Sequence, residues 1–185
     1  MAKIIRLSGN ELYVIMENIR TEAEQTLQNF INTFSEFKQE TINLVPFKGS
    51  WTAGQVAEHM ILANSNFGEV LNGLVEETQR KPDEKVEVLS SILLNFDTKL
   101  DSPNFICPVL KDYDQKVQLE KLIEIKDEIL KASANIDLTK TCKTFELPQL
   151  GFLTRIEAIS FVTYHTQRHK RQLNNIFNKL AEQKI

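Results

Sequence analysis

Histidine, cysteine and tryptophan are scarce in this chain of 185 residues, with three, two and one copies. Cys107 and Cys142 are far apart and outside any C-x-x-C spacing, so neither a disulfide framework nor a thiolate metal site is expected, and both read as ordinary reduced thiols. Six glycines and five prolines are too few for low complexity or long disorder. Positive charge is not in surplus: 22 Lys+Arg against 25 Asp+Glu give a formal −3, with nothing to spare for a phosphate backbone. No nucleic-acid partner is therefore expected. No stretch approaches the run of about 20 apolar residues that spans a bilayer, and no signal-peptide core precedes polar Ser8-Gly9-Asn10. A cytoplasmic protein without a membrane partner is the expectation. Absent too are a G-x-G-x-x-G or G-K-[ST] phosphate loop and a serine-triad constellation. Neither a solenoid-period repeat nor a Gly/Ser-rich linker divides the chain, so residues 1–185 read as a single domain.

What is present is helical periodicity. All five prolines (Pro46, Pro82, Pro103, Pro108 and Pro148) fall between segments with helical spacing, as expected of a residue that removes a donor and clashes with the preceding turn. Leu12, Ile15, Ile19, Ala23, Phe30, Phe34 and Phe37 describe a long amphipathic helix over about residues 8–43. A second helix follows Trp51 and carries Val56, Ala63, Phe67, Val70 and Leu74. Val86, Leu89, Leu93, Phe96 and Leu100 give a shorter one over about residues 84–101. Leu119, Leu122, Ile123, Ile129 and Leu130 mark another, and the last runs from Thr154 to near the C-terminus. Ser8…Glu11, Thr52…Gln55 and Thr154…Glu157 each match the capping box, with Asp112…Gln115 a looser version. Leu7 with Leu12, Trp51 with Val56 and Leu153 with Ala158 fit the accompanying hydrophobic staple. Phe105-Ile106-Cys107 and Thr144-Phe145-Glu146-Leu147 are the only candidates for short extended pieces. The fold class read from this pattern is all-α: a four-helix bundle with one extra short helix in the connection between the second and third principal helices.

The three histidines fall on these helices in a pattern. His165 and His169 are four apart, so on a helix they project from one face, one turn apart, where two imidazoles can share an ion. At about 100° per residue, Ala158, Val162, His165, His169, Leu173, Ile176 and Leu180 lie within an arc of roughly 80°. The pair sits on the buried seam, opposite Arg155, Arg168, Lys170, Arg171 and Lys179. His59 shares the inward stripe of the second helix with Val56, Ala63 and Phe67. Burying a polar nitrogen without a partner costs on the order of 1–3 kcal/mol. A shared divalent cation would satisfy one nitrogen of each ring, and three imidazoles leave coordination positions open, as in catalytic sites. Imidazole suits zinc, nickel, iron or copper. Glu58 and Glu157 project away from the seam, and the basic cluster Arg168, Lys170 and Arg171 reads as a solvated face, as do Glu76-Glu77 and Asp83-Glu84.

Two stretches carry a family resemblance. Trp51-Thr52-Ala53-Gly54-Gln55-Val56-Ala57-Glu58-His59-Met60 resembles the second-helix motif of the DinB-like metalloprotein superfamily. Leu147-Pro148-Gln149-Leu150-Gly151-Phe152-Leu153-Thr154, followed by His165-Thr166-Gln167-Arg168-His169-Lys170-Arg171-Gln172-Leu173, resembles its last-helix motif. The resemblance implies His59, His165 and His169 as ligands of one divalent ion per chain near one end of the bundle, with zinc or nickel expected first and iron, manganese or cobalt after them. It also implies, often, a homodimer. The family includes bacillithiol S-transferases and mycothiol-dependent maleylpyruvate isomerase, in which a metal is thought to activate a low-molecular-weight thiol. The expectation is therefore a small-molecule enzyme acting by thiol transfer, or by water activation for hydrolysis with the same ligands. The alternative is a non-catalytic, metal-stabilised bundle that binds a small molecule or partner. Asn66 and Gln172 are candidates to line the pocket or orient the ligands, and Trp51 is read as a staple for its helix.

Overall fold

The computed structural model describes residues 9–183, with side chains from Tyr13 onward. The expected first cap, Ser8 with Glu11, and its Leu7–Leu12 staple lie outside the described side chains. In chain order the elements are α1 (Gly9–Ser35), α2 (Gln39–Ile42), α3 (Ala53–Asn64), α4 (Phe67–Asn72), β1 (Val75–Glu76), α5 (Val86–Leu93), a 3₁₀ turn (Asn104–Ile106), α6 (Gln115–Ala134), β2 (Thr141–Leu147), β3 (Gly151–Thr154) and α7 (Arg155–Glu182). The apolar stripes pack α1 against α6 and α7 and α3 against the same two helices, closing a four-membered bundle. Its core holds Phe30, Phe34, Val56, Met60, Ile129, Ile159, Val162 and Leu173, all buried.

Two of the long periodic stretches are interrupted. The first helix ends at Ser35 rather than continuing through 43, because the α6 side chain Gln115 takes the carbonyls of Phe34 and Phe37 at 3.0 and 2.6 Å. Gln115 is thereby occupied, and the Asp112…Gln115 box does not form. The N-cap of α6 is Asp114, which accepts from the Val117 N–H at 3.0 Å. The second helix breaks at Ser65–Asn66, and the stripe resumes on the same side with buried Phe67 and Val70. Leu74, expected inward, falls past the helix end and is 71 % exposed.

The small antiparallel sheet, ordered β1–β2–β3, is only half signalled by the sequence. Thr144–Leu147 does form the extended piece allowed for it, within β2, whose side chains alternate between partly buried Lys143, Phe145, Leu147 and exposed Thr144, Glu146. Phe105 and Ile106 instead lie in the 3₁₀ turn, with Cys107 just past its end. Gln149 and Gly151, both at φ 68°, turn the chain from β2 into β3. Phe145 then packs on Phe67 and Phe161, with ring centroids at 5.1 and 5.8 Å, and so docks the sheet on the bundle.

The extra helix exists but is shorter, Val86–Leu93, and the segment that follows it covers part of the face of the last helix that reads as solvated. Arg168 of α7 donates to the Leu93 and Asn95 carbonyls at 3.2 and 2.8 Å and to that of Thr98, taking up the orphan acceptors at the end of α5. The Arg171 guanidinium lies 4.4 Å over the Phe96 ring. Arg155, placed by periodicity on the outer face, is buried, with its Nε donating to the Leu71 carbonyl at 2.7 Å. These corrections share a cause: a helical wheel ranks faces by one helix alone, whereas connections cover the outer face of α7. Among the described residues no helix is long and apolar enough to cross a membrane.

Candidate metal centre

The two histidine-bearing helices start where the sequence places their caps. Thr52 accepts from the Gln55 N–H at 3.1 Å while the Gln55 carboxamide oxygen accepts from the Thr52 N–H at 3.0 Å. The same reciprocal pair joins Thr154 and Glu157, at 3.1 and 2.9 Å. With its start thus determined, α3 carries His59 inward at 1 % exposure, and α7 carries His165 and His169 inward at 9 % and 8 %. Because α3 packs on α7, the three rings converge, with one ligand atom from each lying within 4.8 Å of the others. The Nε2 of His165 is 3.2 Å from that of His59 and 3.1 Å from that of His169.

The hydrogen bonds on the far side of the rings assign their protons. His59 Nδ1 donates to the Ile106 carbonyl at 2.9 Å, and His169 Nδ1 donates to Gln172 Oε1 at 2.8 Å. A carbonyl oxygen only accepts, so in both rings the proton sits on Nδ1 and the lone pair on Nε2. A single Nε2–H on His165 could serve only one of these lone pairs. A cation among the three nitrogens satisfies them all, and ligand atoms about 2.1 Å from one ion lie roughly 3–3.4 Å apart, close to the spacing observed. The residues present therefore fit a metal ion.

Burial holds the rings neutral, which metal ligation requires. Burial depresses the His59 pKa, opposed by its bond to Ile106. Burial lowers His169 to about 3, helped by His59 and opposed by Gln172. His165 is held well below the usual histidine range, by burial first and then by the neighbouring imidazoles and Arg168. The buried Nδ1 of His165 has no hydrogen-bond partner among the described residues. That ring is held instead by stacking on Phe161, at 5.5 Å and 17°.

Trp51 does more than staple its helix. Its indole lies 5.2 Å from the His59 ring and stacks at 13° on that of His169, 6.4 Å away, walling one side of the cluster. Gln172 meets His169 directly, whereas Asn66 sits exposed at the break between α3 and α4 and is not among the groups that meet the rings. Glu58 turns to Gln118, which donates to it at 3.2 Å. Glu157 does leave the seam but not for solvent: its fully buried carboxylate accepts from both terminal nitrogens of Arg80 and from the backbone of Lys85 and Thr154. The Ile106 carbonyl was not foreseen. A backbone acceptor brought in by a long connection leaves no side-chain signal, although Pro103 and Pro108 do mark the connection as a loop.

A family model described as the DinB superfamily matches residues 22–173, well over half of the chain. No curated protein and no solved structure matches it.

Proposed function

From the premise that the chain belongs to the DinB superfamily, we propose that it is a metal-dependent enzyme acting on a small molecule, with His59, His165 and His169 holding one divalent ion. The observation that carries the reading is the convergence of three neutral imidazoles, two of them with Nδ1 protons bound to oxygen acceptors. A divalent ion held by these three imidazoles would supply a lowered pKa to a bound thiol or water, and so a nucleophile at neutral pH. Thiol transfer is the first reading, supported by the family, and hydrolysis needs no change in the ligands.

The chain's own residues prepare the site. Ile106 and Gln172 keep the protons of His59 and His169 on Nδ1, so both Nε2 lone pairs point inward without reorganisation. Trp51 and Phe161 press on the rings and keep bulk water from their faces. Zinc or nickel suits an all-imidazole set, with iron, manganese or cobalt after them. One observation favours the competing reading, a non-catalytic bundle: Glu58 and Glu157 are both engaged elsewhere, so neither stands by as an acid or base.

Metal analysis of protein purified without a histidine tag is expected to give about one ion per chain, lost in His165→Ala. Because the single tryptophan touches the cluster, cobalt or nickel binding should quench its fluorescence. A wild-type protein that takes up no divalent ion sinks the proposal. Assays of the loaded protein with bacillithiol, glutathione and coenzyme A against electrophiles, and with esters, separate the two readings, since turnover with none of them leaves the binding module.

A further inference from the structure

Tyr113 lies outside both histidine motifs, yet it is buried where the loop after the 3₁₀ turn meets α6. Its ring packs so closely on the start of α3 that a Cβ at Gly54 would sit 3.0 Å from its Cδ2. Its hydroxyl donates to the Val109 carbonyl at 2.5 Å. Val109 closes the short segment that begins at Ile106, whose carbonyl takes the His59 Nδ1 proton. One side chain thus touches both the helix that carries His59 and the loop that orients its ring. The backbone of Tyr113 is pinned in turn: its N–H donates to Asn43 Oδ1 at 2.9 Å, and its carbonyl accepts from Asn43 Nδ2 and Gln39 Nε2 at 3.0 and 2.9 Å.

Within the loop Pro108 is buried and Ile106 half-buried, but Phe105, Val109 and Leu110 are 81 %, 64 % and 72 % exposed, so packing holds the middle of the Ile106–Val109 segment while its Val109 end is held by the Tyr113 hydroxyl. We infer that Tyr113 is a positioning residue of the metal centre, its hydroxyl holding the Ile106–Val109 segment so that the Ile106 carbonyl meets His59 Nδ1 and keeps Nε2 aimed at His165. Burial, with Glu58 nearby, pushes the phenol pKa up to about 12, so the hydroxyl remains a donor across the ordinary pH range. As a statement about metal binding the inference rests on the three-histidine reading; as a statement about the His59 ring it does not.

Tyr113→Phe in the full chain removes the hydroxyl alone. In metal-free protein, nitrogen NMR of labelled histidine is expected to show the single Nδ1–H form of His59 in wild type, and mixed tautomers with faster proton exchange in the variant. In a cobalt titration the variant should bind about 3- to 10-fold more weakly, less than the roughly 10- to 100-fold typical for loss of a direct partner of a ligand because Tyr113 acts through the loop, with a shifted cobalt absorption band at saturation. Thr78→Val removes a hydroxyl bonded to the Thr139 carbonyl, away from this loop, and controls for a plain loss of stability. It should leave His59 and the cobalt band unchanged. The inference is overturned if Tyr113→Phe matches wild type in ring signals and cobalt affinity, or if Thr78→Val moves them equally. A wild type that binds no cobalt overturns the metal reading instead, and the NMR comparison still decides the role of Tyr113.

Discussion

At the scale of single residues, the three imidazoles divide into two with oxygen partners on Nδ1 and one, His165, held by ring stacking. The partners differ in what mutation can reach. Ile106 acts through its backbone and is out of reach of side-chain replacement, whereas Gln172 acts through its carboxamide. Gln172→Ala is expected to weaken metal binding about tenfold, as removal of a group that orients a ligand typically does, while Gln172→Glu keeps the acceptor and should retain wild-type affinity or better. Competition titration with a chelator of known affinity measures both. Should the alanine variant bind as tightly as wild type, the bond between Gln172 and His169 has no part in the site.

At the scale of elements, the start of α7 governs where its histidines fall. Glu157 works twice there, closing the capping box with Thr154 and anchoring the Arg80–Lys85 connection through a paired Arg80 guanidinium and the Lys85 N–H. Lys85 Nζ completes the clasp on the Phe152 carbonyl at 2.8 Å and on that of Leu150. The capping box is legible because its residues are three apart in sequence, and the clasp is not, because Arg80 and Glu157 are 77 residues apart. Arg80→Ala strands a carboxylate that is fully buried. The cost should be about 3 kcal/mol in urea denaturation, at the low end for a broken buried pair because Arg80 itself keeps some contact with water. Glu157→Gln keeps one carbonyl oxygen, able to accept from only one of the Lys85 and Thr154 N–H groups, but it buries no charge and should cost less. Equal losses in the two variants would show that the stranded carboxylate carries no penalty beyond loss of the ion pair itself.

At the scale of the whole molecule, the proposed metal binding would be linked to folding, since the three imidazoles come from α3 and α7 and converge in the folded bundle. A divalent ion at 100-fold its dissociation constant stabilises the fold by about 2.7 kcal/mol, or roughly 5–10 °C in melting temperature for a chain of this size. The metal-free protein should respond to pH with a definite sign. The buried histidines have folded pKa values below those of the unfolded chain, about 3 for His169. Their contribution is therefore complete above the unfolded value of about 6.5 and is lost as pH falls, by up to about 1.4 kcal/mol per pH unit for each ring. Denaturation at pH 8 and pH 5 checks this, and a metal-free protein equally stable at both would show that the rings are not buried neutral.

The helical class, the caps of α3 and α7 and the inward direction of all three histidines were readable in the sequence. Each depends on residues within a turn or two of one another, where helix geometry alone relates position to direction. Tertiary structure decided what surrounds the triad: the indole of Trp51 laid against His59 and His169, the Ile106 carbonyl carried in by the loop before α6, and Tyr113 pinning that loop. It also moved Arg155, Arg168 and Glu157 from an apparent outer face into contacts with the connections. Such contacts join groups distant in the chain, many through backbone atoms that every residue shares, so no local spacing or residue type records them.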